Sequence, residues 1–282
     1  MKSLYHRLPR IYVVFLRNIY YSILKAYLRL YYVCKYGNPD MFDDIIIETT
    51  TQCNRRCEYC PNSLYERSLV QNQKLMSEDL FIRIINELKD LKFTGRISPH
   101  FYGEPLLDKR LGRLMNYAHE TIPNAKLKIY TNGDLLDIPM LDVLYEVGVR
   151  NYLVTLHGNK EERQSKRTRV HDLQKHITEN KKNIKIDILD ITDNTYLSNR
   201  GGLVKVKNPT ENIYCLNSHN PLTINYKGDV LLCCNDYLGK VSFGNIATEP
   251  LLAIWNNADF RRIRREIKKG IIKLDICEKC VS

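Results

Sequence analysis

The spacing Cys53-x-x-x-Cys57-x-x-Cys60 puts three thiols on one short stretch of chain, close enough to serve a single metal centre. An iron–sulfur cubane has four irons, and thiolates normally hold all of them. Three cysteines leave one iron open, which suits a cluster that binds a substrate rather than one that only passes electrons. A zinc site and inert buried thiols are the competing readings, but zinc motifs pair short spacings with a fourth nearby Cys or His. A second set, Cys215, Cys233, Cys277 and Cys280, has 17 residues between its first pair and two between its last. Four ligands would close a cluster and make electron transfer its task. A four-cysteine structural zinc site competes there. Cys234 is an alternative ligand to its neighbour Cys233. Cys34 lies outside both groups and reads as a buried thiol.

The elements that must position these thiols alternate strand and helix from Asp43 onward. Asp44 to Thr51 reads as a buried strand running directly into the first cysteine loop. Ser77 can cap a helix whose Glu78 and Asp79 suit its positive end and whose apolar face carries Leu80, Phe81, Ile84, Ile85, Leu88 and Leu91. Strands are expected near 97–102, 127–132, 152–157 and 184–189, with helices near 108–121, 137–147 and 160–180. Repeated βα units imply a parallel sheet flanked by helices, with functional loops at the C-terminal strand ends. Three strings fall at such ends: Tyr102-Gly103-Glu104-Pro105, Tyr130-Thr131-Asn132-Gly133, and Val154-Thr155-Leu156-His157-Gly158. After Arg200 the pattern changes to a hairpin, 222–226 and 229–233 about a Lys227-Gly228 turn, then a helix from about 259 to 269. The expected division is 1–38, 39–203 and 204–282.

Composition bounds the rest. The 282 residues are 44% hydrophobic, enough to fill the core of a large domain with a small appendage. The net charge is +11, of which residues 1–39 hold +7 and residues 261–273 hold +6, leaving −2 for the remainder. Basicity confined to two end segments does not describe a nucleic-acid groove, and no nucleic-acid partner is expected. Nine cysteines, an odd number, in two groups of metal-ligand spacing argue against a disulfide framework and for a reducing cytoplasm. Arg10, Arg17, Lys25 and Arg29 interrupt every apolar run near the start, so neither a signal peptide nor a spanning helix is expected. Residues 1–38 instead read as basic–aromatic amphipathic helix ending near Gly37 and Pro39. It serves either as a cap on the main domain or as attachment to a membrane surface or partner.

The cysteine loop after the first strand, with Tyr59 just before its last cysteine, resembles the radical S-adenosylmethionine (SAM) signature. That resemblance implies a partial (β/α) TIM-like barrel. It also implies that SAM binds the open iron of a [4Fe-4S] cluster on Cys53, Cys57 and Cys60, and is cleaved by one electron from a donor such as flavodoxin or ferredoxin to a 5′-deoxyadenosyl radical. Gly103 and Glu104 then fall where the family meets the methionyl ammonium, and Tyr59, Thr131, Asn132 and His157 are candidates to line the SAM and substrate site. The C-terminal cysteines, with Gly244-Asn245-Ile246, Ile254-Trp255-Asn256 and Phe260-Arg261, resemble the SPASM or shortened twitch extension and imply one auxiliary [4Fe-4S] cluster on Cys215, Cys233, Cys277 and Cys280.

Narrower strings are similar to the 2-deoxy-scyllo-inosamine dehydrogenase type of aminoglycoside-pathway radical SAM enzymes. They are His100 to Leu107 (HFYGEPLL), Tyr130 to Asp134 (YTNGD) and Leu197 to Gly202 (LSNRGG). This similarity implies an oxidoreductase that converts a carbinol of a cyclitol or sugar to a ketone, with the auxiliary cluster taking the electron. Arg200 would orient the hydroxyl and stabilise alkoxide charge, since an unperturbed guanidinium is a poor proton acceptor. Cys234-Asn235 departs from the type, which carries an aromatic residue and a glutamate there, so the substrate can lack the matching amine or hydroxyl. The extra N-terminal segment raises a lipid-linked sugar as substrate. A peptide-modifying maturase and a non-enzymatic iron–sulfur or zinc protein are the alternatives. The 38-residue N-terminal piece is short for a peptide-recognition domain, and a binding protein leaves the open three-cysteine site unexplained.

Overall fold

In the computed structural model, which describes Ile23, residues 26–39, 41–209, Cys215 and residues 221–281, the first strand is β1, Asp44–Ile47, with every residue buried. Its isoleucines have an apolar neighbour on both faces, as a strand inside a parallel sheet requires. Four βα units follow: α2 Glu78–Asp90, β2 Arg96–Ser98, α3 Leu111–Thr121, β3 Lys126–Thr131, α4 Ile138–Glu146, β4 Asn151–Leu156, α5 Lys160–Glu179 and β5 Lys185–Asp190. The Ser77 hydroxyl accepts from the Leu80 amide at the start of α2, a cap of about 1 kcal/mol. The Ser77 end, with Phe81, Ile84, Ile85 and Leu88 buried, is as the pattern of apolar residues predicts.

β1 and β2 end earlier than expected, at Ile47 and Ser98. Beyond Glu48, whose N–H still donates to Ile224 O, the backbone pairs with the cysteine loop, through Met76 N to Thr49 O, Thr51 N to Lys74 O and Cys53 N to Ser68 O. The hydrogen bonds that would have continued β1 are spent on holding that loop.

β6 Leu222–Ile224, β7 Asp229–Leu231 and β8 Ser242–Asn245 complete a sheet of order β5-β4-β3-β2-β1-β6-β7-β8 among the described residues. β1 to β5 are mutually parallel, and the sheet is open, as in a partial barrel. The expected hairpin is present, with Gly228 at φ +92° in its turn, but it does not stand apart: β6 lies parallel to β1, Ile45 opposite Leu222. The sheet thus runs across the boundary expected near residue 203.

Three C-terminal elements were not legible in the sequence: β8, the short helix α6 Leu251–Trp255, and α8 Asp275–Val281, which carries Cys277 and Cys280. Between the last two lies α7, Ala258–Lys268, close to expectation.

Residues 26–36 form helix α1, which ends at Gly37 with φ +67°. The expected helix over residues 1–22 lies outside the described residues. One face of α1 docks on the main fold, with Tyr32 buried, Tyr36 stacked on Phe93, and Tyr31, Lys35 and Tyr36 all hydrogen-bonded to Asp43. Cys34 is exposed, not buried as its sequence position suggested, because it lies on the face turned away from that contact.

Candidate active site

The three core cysteines lie in the segment between β1 and α2, each partly buried. Cys60 N donates to Cys57 O at 2.9 Å, and Ser63 N to Cys60 O, so the second half of the motif is wound into a tight turn. Burial pushes the Cys53 thiol up to about 12 and raises Cys57 and Cys60 as well. Neutral thiols in such a site must lose protons to bind iron, which makes ligation strongly pH-dependent. No group of three or more His, Cys, Asp or Glu among the described residues converges on a single-ion position. Three free, partly buried thiols on one loop are the kind of donor set an iron–sulfur cubane takes.

Glycine at 103 is set by close approach. A β-carbon there would lie 2.1 Å from Thr50 O, and Glu104 N donates to Gln52 O at 2.7 Å. The turn after β2 is therefore pressed onto the start of the cysteine loop. The Glu104 side chain is 3% exposed and points inward, accepting from Thr131 Oγ1 at 2.7 Å, Asn132 N at 2.8 Å and Leu106 N at 3.2 Å. Burial pushes its carboxyl up to about 7. The acid ties the turn after β2 to the end of β3, bringing Glu104, Thr131 and Asn132 together. With those three donors the carboxylate is engaged within the protein.

Tyr59 and His157 also meet, with the phenol oxygen 2.5 Å from His157 Nδ1 and the rings stacked at 5.8 Å. Burial, then the charges of Lys166 and Arg55, push the imidazole down to about 4, so at neutral pH it is uncharged and can accept a hydrogen bond from the phenol. Tyr59 lines a cleft of about 690 Å³ beside Cys57, together with Arg55, Asp134, Ile191, Leu197 and Val206, and His157 stands behind it on the phenol.

One part of this wall was missed from sequence. Asp134 accepts two hydrogen bonds from Arg55, one from Asn54 and an ion pair from Lys166 at 2.7 Å. Those cations hold its carboxyl down at about 2 against the effect of burial. Lys166 sits in a stretch of α5 dense in charge, so nothing in its neighbours marked it as the buried one.

Arg200 lies on the loop that follows β5. It has φ +55°, followed by Gly201 at +67° and Gly202 at +81°. β-Carbons on those glycines would lie 2.6 Å from Ile276 and 2.8 Å from Lys279, and Asn199 Nδ2 donates to Lys279 O at 2.6 Å. The loop is thus moulded onto α8. The guanidinium lies 5.8 Å from the Tyr102 ring centre and feels the thiols of Cys60, Cys234 and Cys280. It stands between the two cysteine groups. Among the described residues, Arg200 Nε and the Tyr102 hydroxyl are buried without a hydrogen-bond partner. Two orphaned polar atoms on one site are what a hydroxylated ligand would satisfy.

In the second group, Cys233 is buried, and it feels the thiols of Cys234, Cys215 and Cys277. Cys277 is pushed up to about 12 by burial and is coupled to Cys215 and Cys280. Cys234 is coupled to Arg200, Cys215 and Cys280. Four or five thiols within range of one another form a donor set for a second cluster.

Residues 47–197 match the profile of the radical SAM superfamily. The chain belongs to that superfamily. As a radical SAM enzyme it uses SAM and [4Fe-4S] clusters, and residues 215–281 match the SPASM iron–sulfur cluster-binding domain. It is 36% identical over 243 residues to the S-adenosyl-L-methionine-dependent 2-deoxy-scyllo-inosamine dehydrogenase of Niallia circulans, covering 85% of this chain and 93% of that protein. The crystal structure of BtrN in complex with AdoMet and 2-DOIA superposes with a TM-score of 0.74 over 86% of this chain and 94% of that one, at 36% identity. A GTP 3′,8-cyclase of Clostridium perfringens is 28% identical over 170 residues, 56% of this chain and 49% of the cyclase. Native anSMEcpe with bound AdoMet, at 13% identity and a TM-score of 0.52 over 83% of this chain and 88% of that one, shares the fold.

Proposed function

We propose that the chain is a SAM-dependent dehydrogenase that oxidises a secondary carbinol of a cyclitol or sugar-like substrate to a ketone. The observation that carries this reading is the place of Arg200, between the two cysteine groups, with its Nε and the neighbouring Tyr102 hydroxyl unsatisfied among the described residues. Cys53, Cys57 and Cys60 hold the SAM-binding cluster, and Cys215, Cys233, Cys277 and Cys280 the auxiliary one. When bound, the first supplies with SAM a carbon radical that takes a hydrogen atom, and the second an acceptor for one electron.

The protein's own residues orient and shield. The Gly103-Glu104 turn presents its backbone to the methionyl group, and Glu104 fixes that turn through Thr131 and Asn132. Tyr59, held by His157, lines the cleft that would take the nucleoside. Arg200 binds the substrate hydroxyl and stabilises negative charge as its proton leaves; a guanidinium is the donor for this and a poor base. Asn235 lies beside Arg200 and brings an amide rather than a carboxylate to that side of the site, which suits a substrate hydroxyl better than an ammonium. The proposed division is 1–38, 39–203 and 204–282.

The test is to incubate the anaerobically reconstituted enzyme with SAM, dithionite and a panel of cyclitols and aminocyclitols, and to quantify 5′-deoxyadenosine and ketone. Ketone in step with 5′-deoxyadenosine supports dehydrogenation; cleavage with no ketone from any member counts against it. The physiological electron donor is proposed to be a flavodoxin or ferredoxin in the cytoplasm.

A second reading concerns α1. Among the described residues no helix is long and apolar enough to cross a membrane. Yet Ile23 and, on α1, Tyr27, Leu30 and Val33 are exposed, in a segment with seven cations and no acid before Asp40. An anionic membrane surface matches both properties, and a lipid-linked sugar would be reached there. Co-sedimentation with phosphatidylserine vesicles, lost at high salt and in Leu30→Glu, is expected; equal recovery with neutral and anionic vesicles would refute it.

A further inference from the structure

We infer that Asn235 is a positioning residue that couples the electron acceptor to the substrate-binding arginine, through one side-chain amide. Asn235 is 4% exposed. Its Nδ2 donates to Cys280 Sγ at 3.4 Å, and its Oδ1 accepts from Arg200 Nη1 at 3.5 Å. Its backbone N–H donates to Cys233 Sγ, also at 3.4 Å. One residue therefore contacts two sulfurs of the auxiliary set and the guanidinium proposed to hold the substrate.

The chemistry runs in one direction. An N–H donated to a ligand sulfur draws charge from it and favours the reduced cluster, raising its potential. Arg200, on the oxygen end of the same amide, polarises the group so that its N–H becomes a better donor. The pair thus lowers the energy of an electron arriving at the auxiliary set. A carboxylate at position 235 could still accept from Arg200, but it has no donor for the sulfur and adds negative charge beside it. The amide is the side chain of this size that serves both partners.

The rest of the loop gives the contact its rigidity. Arg200 is held on α8 by the Asn199–Lys279 bond and by Gly201 and Gly202 packed under Ile276 and Lys279, and α8 is the helix that carries Cys280. Sulfur, amide and guanidinium are therefore fixed to a common support. The inference rests on the proposed ligation of a cluster by Cys233 and Cys280.

The experiment is an EPR-monitored redox titration of the reconstituted full-length enzyme, wild type against Asn235→Asp and Asn235→Leu. The core cluster, recognised by the change in its signal on adding SAM, serves as internal reference. Both variants are expected to lower the auxiliary midpoint, with Asn235→Asp shifting the one-electron equilibrium about tenfold or more, roughly 59 mV, and leaving the core cluster unmoved. Electron–nuclear double resonance in D₂O is expected to show one exchangeable-proton coupling fewer on the auxiliary signal of each variant. A second signal whose midpoint is the same in all three proteins would overturn the inference alone, as would equal shifts of both clusters. Absence of any second cluster signal in wild type would overturn the ligation as well.

Discussion

Arg55 and Asp134, separated by 79 positions in the chain, meet in a two-pronged ion pair, with Nε and Nη2 at 2.5 and 2.9 Å from the carboxylate oxygens. Arg55 lies within the core cysteine motif and Asp134 just beyond β3. The pair therefore fastens the cluster loop to the strand end that carries Thr131 and Asn132. Lys166, 5% exposed, closes the same carboxylate from α5. Removing Asp134 leaves that ammonium buried without its acid, and breaking such a pair costs about 3 kcal/mol or more. Asp134→Ala is expected to lower the urea midpoint and to hold less iron after reconstitution. Normal stability and full iron content would show that the pair is only a surface contact.

Cluster count separates the two cysteine groups. The wild type is expected to hold about eight irons, and the Cys53/Cys57/Cys60 triple alanine variant about four. Iron and sulfide analysis checks this. About four irons falling to none would leave the core cluster and remove the electron acceptor.

Arg200→Lys keeps the charge but loses the planar fork and alters a position at φ +55°. Losing a donor aimed at developing oxyanion charge costs about 10² to 10³ in rate. SAM cleavage without substrate should persist, while ketone formation falls by about that factor. A parallel fall in both would place Arg200 in SAM binding instead.

Gly103→Ala tests close approach rather than backbone twist. The added methyl would collide with the backbone oxygen of Thr50, which no rotamer change can relieve. SAM affinity, measured by equilibrium dialysis on the reconstituted protein, is expected to drop at least tenfold, with the auxiliary cluster retained.

His157 is expected to titrate near 4 instead of its ordinary 6.5. Its folded value is depressed, so the unfolded chain binds the extra proton first as pH falls. The stability it contributes is complete above about 6.5 and is lost progressively toward 4. Urea midpoints of the metal-free chain across this window should slope downward toward acid, and His157→Phe should flatten that slope.

The residue pattern alone determined the chemistry-bearing parts that are local in sequence. The three-cysteine loop follows a strand because Asp44 to Ile47 is an apolar run with nowhere to go but a buried sheet, and the Ser77 cap fixes where the next helix begins. The same period of apolar residues located the other core strands and helices to within a few positions. Tertiary structure decided what depends on distant partners. Glu104 turns inward because Thr131 and Asn132, 27 and 28 residues away, supply its donors. Lys166 is buried because Asp134 waits for it, although its own helix reads as a solvated face. Helix α8 is seven residues long, too short to announce itself by period, and it is held by the Arg200 loop packing against it. A strand or a cap is written in neighbouring side chains. A charge pair or a sulfur contact exists only where the fold brings two remote segments within reach and removes the water that would otherwise serve both.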